Sequence, residues 1–138
     1  MKKLLFILLT FFIITGMGGL GGNDEENKLP KTPENFVITL TDTEGYTARL
    51  SQVSIADGLY LSGNIGKGKH IINFSEIKKV QINQIDEKNV EAKISFADGT
   101  SVNLITNGKS KLKGKSKYGV FVIALKDIKE INFIGKEK

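Results

Sequence analysis

The chain lacks the residues on which several kinds of chemistry depend. It has no cysteine, no tryptophan and a single histidine, His70. Without cysteine there can be no disulfide, no thiol nucleophile and no lipid-bearing cysteine of a bacterial lipoprotein. A protein metal site needs several ligands at suitable spacing, and one histidine does not supply them. We therefore predict a protein without disulfides, thiol chemistry or a bound metal.

The acidic residues give no recognisable catalytic arrangement. Several lie in or beside glycine turns, where aspartate commonly binds the local backbone. These residues are Asp42, Glu44, Asp57 and Asp98. Two acids brought together by folding could still serve a glycosidase, so an acid-dependent hydrolase is kept as a minor alternative. We predict no catalytic residues and a protein that is not an enzyme.

One glycine-rich stretch is close to a phosphate-binding loop. Residues 63–70 read GNIGKGKH, against the pattern GxxxxGK[ST]. His70 replaces the hydroxyl residue, and the apolar residues after it continue as a strand rather than as the helix that would hold the phosphate. The equivalent stretch after Gly114 keeps both outer glycines and loses the lysine. We interpret these residues as hairpin glycines, and we predict no nucleotide and no cofactor.

The N-terminus has the order of a secretory signal peptide. Lys2 and Lys3 precede an apolar run, Leu4–Ile14, and a glycine-rich tract follows it. The run is shorter than the roughly 20 residues that span a bilayer. We predict a signal peptide over residues 1–22 and export to the periplasm or the medium, with an uncleaved anchor as the alternative. Residues 23–34, which are charged and contain both prolines, are predicted to be a disordered linker.

The rest of the chain contains an internal repeat. Leu112–Phe133 aligns without a gap on Leu61–Ile82. Six aligned pairs are identical: Leu61/Leu112, Gly63/Gly114, Gly68/Gly119, Ile72/Ile123, Ile77/Ile128 and Lys78/Lys129. A repeat of this kind sets the architecture. We therefore predict two β repeats, residues 35–86 and 87–138. Within them we assign structural roles to Gly63, Gly68, Ile77, Gly114, Gly119 and Ile128.

Apolar and polar residues alternate through most of both repeats. Phe36, Ile38 and Leu40 fall on one face, and this period of two is typical of a strand. Glycine turns separate five short strands in each repeat, with a one-turn corner before the fifth. The stretch Ile77–Ile85 could also be helical, since Ile77, Val80, Gln84 and Ile85 have near-helical spacing behind the possible N-cap Ser75. Its counterpart in the second repeat is rich in β-branched and aromatic residues, which favours a strand. The pattern predicts an all-β protein.

Five short strands with a corner before the fifth resemble an SH3-like or Sm-like small barrel. The stretch Gly119–Phe133, of pattern G-x-x-x-[VI]-x-[LF]-x-[DE]-I-x-x-[VI]-x-[FI], is similar to the last hairpin of such barrels in many exported bacterial proteins. The resemblance covers both repeats and implies that the corner isoleucine closes the barrel end; those families share no activity. The chain lacks the loop motifs of RNA-binding Sm-like proteins and the aromatic grooves of peptide-binding SH3 domains. The expected fold is two tandem five-stranded SH3-like barrels, or one merged ten-strand β structure.

One charge pattern is a candidate for binding. Five lysines follow each other with a period of two, which places them on one face of a strand. They are Lys109, Lys111, Lys113, Lys115 and Lys117. They could form a positive ridge for an anionic surface, or they could protect an exposed edge strand from aggregation. Few aromatic residues accompany them, which disfavours nucleic acid as the partner.

These observations predict an exported, non-enzymatic binding module of the bacterial envelope or the extracellular space. The expected partner is a protein, bound at a sheet edge or in the cleft between the repeats. The alternative is electrostatic binding of an anionic envelope polymer through the five lysines.

Overall fold

The computed structural model describes residues 29–30 and 32–137. The predicted signal peptide and the first half of the predicted linker lie outside the described residues. The described chain forms ten strands and two one-turn 3₁₀ helices. The first repeat contributes β1 (Asn35–Asp42), β2 (Thr47–Ile55), β3 (Tyr60–Ile65), β4 (Gly68–Asn73), η1 (Phe74–Glu76) and β5 (Ile77–Gln84). The second contributes β6 (Asn89–Phe96), β7 (Ser101–Asn107), β8 (Lys111–Ser116), β9 (Gly119–Ala124), η2 (Leu125–Asp127) and β10 (Ile128–Glu137).

All ten strands belong to one antiparallel sheet, in the order β4-β3-β7-β6-β5-β10-β1-β2-β8-β9. The all-β prediction is confirmed, and the stretch that could have been helical is strand β5. The described residues contain no helix that is long and apolar enough to span a membrane. Of the two predicted arrangements, the merged ten-strand structure describes this sheet, whereas separate tandem barrels are not seen.

The two repeats exchange their central hairpins. The β3–β4 hairpin of the first repeat pairs with β7 of the second, and the β8–β9 hairpin of the second pairs with β2 of the first. Strand β10 lies between β5 and β1. If each strand is replaced by its counterpart in the other repeat, the strand order is simply reversed. The pairing therefore has an approximate two-fold symmetry centred between β5 and β10.

The alternation seen in the sequence produces the core. Ile38, Leu40 and Leu50 of the first repeat and Ile94 and Leu104 of the second are all fully buried. They belong to one hydrophobic cluster with contributions from both repeats. Each such side chain contributes about 1.5–3 kcal/mol through burial. Since neither repeat encloses this cluster alone, the core belongs to the whole sheet.

The corner isoleucines occupy matched places. Ile77 and Ile128 each follow a 3₁₀ turn and begin β5 and β10. Their exposed fractions are 6% and 0%. Each therefore joins the core at the point where its chain enters the sheet.

The repeated glycines do not all lie in turns. Gly63 and Gly114 lie inside β3 and β8, where they pair with His70 and Phe121. Our interpretation of them as hairpin glycines is therefore wrong. The turn of the β3–β4 hairpin contains Gly66, which has a φ of +63°. In the β8–β9 hairpin, Gly119 follows the turn and has a φ of +122°. Gly68 has no positive φ and begins β4.

Candidate anion-binding groove

Three of the five lysines share one face of β8. Lys111, Lys113 and Lys115 alternate with Leu112 and Gly114, which are buried. Lys109 and Lys117 lie in the turns before and after this strand. Strand β8 pairs with β2 on one side and with β9 on the other. The lysines are therefore not on an edge strand, and edge protection is the wrong interpretation of them.

The structure divides these lysines into groups with different surroundings. The Lys113 side chain is 11% exposed, and its Nζ lies 3.5 Å from Asp57 Oδ1. Lys109 and Lys111 are exposed and lie away from any described carboxylate partner. Lys115 and Lys117 line a groove. The five lysines predicted to form a ridge therefore do not form one uniform surface. Only the two at its C-terminal end, Lys115 and Lys117, line a groove that could hold a ligand.

The groove has a volume of about 610 Å³ and lies where β2 meets the end of β8. Its cations are Lys115 and Lys117 from the second repeat and Arg49 from the first. The β2–β8 pairing, in which Ser51 lies opposite Lys115, brings them together. Sequence analysis missed Arg49, because nothing in the spacing of residues indicates that strands of different repeats pair.

Positive charge dominates the groove. Among the described residues that line it, the one carboxylate is that of Glu137, whose Oε2 lies 3.4 Å from Arg49 Nη2. Both side chains are about half exposed, so this ion pair contributes little to stability. Within the described part of the chain, neither Lys115 nor Lys117 forms an ion pair. Three cations against one carboxylate favour an anionic ligand.

Two tyrosines add aromatic surface to the groove. Tyr46 stacks against Phe121 at 6.5 Å between centroids, with 21° between the ring planes. Tyr118 is 78% exposed, and Lys117 Nζ lies 5.1 Å from its ring centroid. Both rings can present a face to a ligand. The sequence showed Tyr118 and Phe121 near the lysines, but it gave no sign that Tyr46 would join them.

A β-bulge shapes the end of the groove nearest the N-terminus of β1. The pairing of β2 with β8 shifts between Ser51 and Ser54, and Gln52 in this bulge has a φ of +51°. Its backbone N–H donates to Asn35 Oδ1 at 2.7 Å. Bulges re-aim side chains, and a positive φ outside glycine is costly and often marks a functional position. Here the bulge places Gln52 and Asn35 on the groove wall.

The other half of the sheet is an internal control for these residues. It has the same strand pairing, but the groove's charged and aromatic residues are replaced there. The matched pairs are Tyr46/Thr100, Arg49/Asn103, Lys115/Asn64, Lys117/Gly66 and Tyr118/Lys67. Since the fold forms without them in one half, it does not require them in the other. Their concentration in a single groove therefore calls for a functional explanation.

The other candidate residues do not assemble into a site. His70 is exposed on edge strand β4. No group of three metal-ligating side chains occurs among the described residues. Asp42 Oδ1 accepts the backbone N–H groups of Glu44 and Tyr46, each at 2.9 Å. Hydrogen bonds from the Thr100 hydroxyl and backbone N–H lower the pKa of Asp98. These carboxylates act as local turn caps.

A second cleft, of about 330 Å³, lies beside three phenylalanines. The rings of Phe36, Phe74 and Phe133 lie 5.1–6.3 Å apart. Phe36 and Phe74 are almost fully buried. This cluster is the end of the hydrophobic core, and its residues are accounted for by packing.

Comparison with other proteins identifies a family. No curated protein and no solved structure matches the chain. A family model with the description "uncharacterised protein" matches residues 32–136, which include every strand except the last residue of β10. The groove residues from Asn35 to Tyr118 fall within this match. The chain therefore belongs to this family of uncharacterised proteins.

Proposed function

We propose that the protein is an exported, non-enzymatic binding module that holds an anionic polymer of the bacterial envelope in the groove. One observation carries the proposal. Pairing between the repeats gathers Arg49, Lys115 and Lys117 around one groove. The residues matched to these three in the other half are uncharged: Asn103, Asn64 and Gly66. Export is proposed from the charged and apolar leader, Lys2–Ile14, which lies outside the described residues.

The chemistry of the groove suits binding more than catalysis. Exposed lysine and arginine side chains neutralise phosphate or carboxylate groups and steer an anionic chain toward the surface. Arginine can also hold such a group through two parallel hydrogen bonds. The described residues of the groove include no histidine and no pair of carboxylates for proton transfer. Its residues can therefore retain a ligand without needing to transform it.

We also propose that each half of the sheet is an SH3-like unit. One half is β10-β1-β2-β8-β9 and the other is β5-β6-β7-β3-β4. Each contains one strand of each of the five kinds, in the order fifth, first, second, third, fourth. In this proposal each unit takes strands from both repeats, and the groove lies on the unit that contains β2 and β8.

The test is co-sedimentation of residues 23–138 with envelope fractions at low and high salt. The double variant Lys115→Ser/Lys117→Ser removes two groove cations. Its matched control, Lys109→Ser/Lys111→Ser, removes the same charge from exposed positions outside the groove. We expect the groove variant to lose about tenfold or more in affinity, since contacts to charged groups contribute about 1.5–3 kcal/mol each. The control should bind within about twofold of the unaltered protein.

Two results would contradict this function. Equal losses in the two variants would mean that bulk charge, and not the groove, attracts the polymer. Binding that does not weaken as salt rises would mean that electrostatic contacts do not carry it. In that second case, binding of a protein partner to edge strand β9 becomes the better explanation.

The second candidate is a protein partner paired with edge strand β9. The outer side of β9 is unpaired, and Val120 and Val122 are 46% and 36% exposed. An extended segment of another protein can add to such an edge through backbone hydrogen bonds. The change Val122→Lys should then abolish salt-insensitive binding. The change Ile71→Lys at the matched position of β4 should leave it intact, and equal effects would argue against β9.

A further inference from the structure

We infer that the ligand of the groove is an acidic glycan, whose acidic groups contact the cations and whose sugar rings stack on the tyrosines. This inference rests on the proposed function and names the class of polymer. It follows from the mixture of chemistries on the groove wall, which is more varied than a simple anion site requires.

The charge of the groove fits a polymer that carries hydroxyl groups beside its acidic groups. Glu137 lines the groove together with the three cations, and its Oε2 lies 3.4 Å from Arg49 Nη2. A carboxylate in this position repels the acidic groups of any ligand, and polyphosphate and DNA offer it almost no hydroxyl group to pair with. It can, however, accept hydrogen bonds from neutral hydroxyl groups. A ligand with both acids and hydroxyls satisfies Glu137 and the cations together.

The uncharged part of the wall is rich in groups that bind hydroxyls. The side-chain amides of Asn35 and Gln52 and the hydroxyls of Thr47 and Ser51 line the groove. The Ser116 hydroxyl also lies there, but it already donates to the Gly119 carbonyl and accepts the Tyr118 backbone N–H. Amides and hydroxyls can both donate and accept, as sugar hydroxyls can. The bulge at Gln52, held by the Asn35 side chain at 2.7 Å, fixes one part of this polar surface in place. Four such side chains therefore lie beside the three cations, where they can contact hydroxyl groups of a ligand.

The tyrosines supply flat apolar surfaces at the groove margin. Tyr118 is 78% exposed, and Tyr46 is 49% exposed with Phe121 stacked on it. The C–H face of a pyranose ring is apolar and covers such a surface well, while each phenol hydroxyl keeps a polar contact. Neither tyrosine has an aromatic counterpart in the other half of the sheet. The aromatic surface therefore accompanies the cations, as a charged sugar polymer requires.

Binding of defined polymers to the full chain tests the inference. The probes are polygalacturonate, polyphosphate, single-stranded DNA and the neutral polymer dextran. We expect polygalacturonate to bind more tightly than polyphosphate or DNA, and dextran to bind weakly or not at all. If polyphosphate and DNA bind as well as polygalacturonate, the proposed anion-binding function stands and the glycan assignment is wrong. If no anionic probe binds, both are wrong.

A tyrosine variant gives a second, independent readout. Tyr118→Ala should weaken polygalacturonate binding by roughly fivefold, because the stacking surface is lost, and should change polyphosphate binding much less. Tyr118→Phe keeps the ring and should retain most of the affinity. Tyr60→Ala, which removes a tyrosine outside the groove, is the control. An equal effect of Tyr118→Ala on both polymers would overturn the role of stacking.

Discussion

Gly63 and Gly114 occupy matched positions in the two repeats, and each lies against a strand of the other repeat. A Cβ atom at Gly63 would lie 2.4 Å from the carbonyl oxygen of Ile105. A Cβ atom at Gly114 would lie 2.9 Å from Leu50 Cβ. Ile105 belongs to β7 and Leu50 to β2. Each contact therefore joins an exchanged hairpin to the strand of the other repeat with which it pairs. The close approach of the repeats depends on the absence of a side chain at both positions.

The change Gly63→Ala should destabilise the protein by about 1–3 kcal/mol, the usual cost of forcing extra atoms into a packed site. Backbone must move, because the nearest atom is a carbonyl oxygen at 2.4 Å. Gly114→Ala should cost less, since its nearest neighbour, Leu50 Cβ, is farther away at 2.9 Å. Urea unfolding measures both. Gly68→Ala is the control, because its nearest neighbour is 3.8 Å away. If Gly63→Ala and Gly68→Ala proved equally stable, the close packing of β3 on β7 would be refuted.

Neither repeat should fold as a monomer when it is made alone. Residues 35–86 would leave β2 without β8, and β3 without β7. A domain of about 50 residues also buries too little surface to be comfortably stable. Mixing fragments 35–86 and 87–138 should restore the sheet, since together they contain every pairing. NMR dispersion with a measured molecular mass tests this, and a folded monomer of either fragment would disprove it.

The change Ser54→Ala should raise the free energy of unfolding by about 1 kcal/mol. Ser54 is 0% exposed, and its Oγ has no hydrogen-bond partner among the described residues. Burying an unpaired hydroxyl is costly, and alanine removes that cost with little change of volume. Thermal or urea unfolding gives the difference. Ser101→Ala, at an exposed position of β7, should have almost no effect. A loss of stability in Ser54→Ala would show that this hydroxyl has a partner.

The change Glu130→Gln should make stability less dependent on acid pH. The Asn132 side-chain amide donates to Glu130 Oε2 at 2.8 Å, and this bond, with the nearby Lys79, lowers the pKa of Glu130. A lowered native pKa gives a stabilisation that is complete above the unfolded pKa of about 4.3. It is lost as the pH falls through the native pKa. The slope of unfolding free energy against pH should therefore be shallower in Glu130→Gln below about pH 4.3.

The matched control for this change is Glu44→Gln. The Glu44 carboxylate accepts no hydrogen bond within the described part of the chain, whereas Glu130 accepts one from Asn132. Urea unfolding at a series of pH values between neutral and strongly acid conditions provides the comparison. The same slope in Glu130→Gln and in the unaltered protein would show that the bond to Asn132 does not favour the charged form.

Local features of the fold could be predicted from the sequence. Alternation placed Phe36, Ile38 and Leu40 on one face because successive side chains in a strand point to opposite sides. The β-branched residues of the second repeat identified the strand that became β5. The pairing between strands could not be predicted in the same way. The two repeats present similar apolar faces. The alternation of apolar and polar residues is therefore equally consistent with Leu61 packing beside Leu50 of its own repeat or beside Leu104 of the other.

The candidate groove was predictable only in part, for the same reason. The period of two identified Lys115 and Lys117, because a single strand carries them. Arg49 and Tyr46 lie more than sixty residues earlier in the chain. They reach the groove only through the pairing of β2 with β8. When a site is assembled from two repeats, its residues are far apart in the sequence. The spacing of the lysines in one strand therefore could not indicate the residues that the other repeat contributes.

The central place of β10 has a consequence for how the chain folds. This strand follows all the others in the chain, yet it lies in the middle of the sheet, where Asn35 pairs with Glu137. The first repeat can form its own hairpins during synthesis, but its β1 and β5 have no shared neighbour until β10 leaves the ribosome. Pairing between residues so far apart in sequence is slow to form, because the loop must close before contacts compensate for the lost entropy. We therefore expect the complete sheet to form only after synthesis of β10, while the earlier part of the chain holds at most its local hairpins.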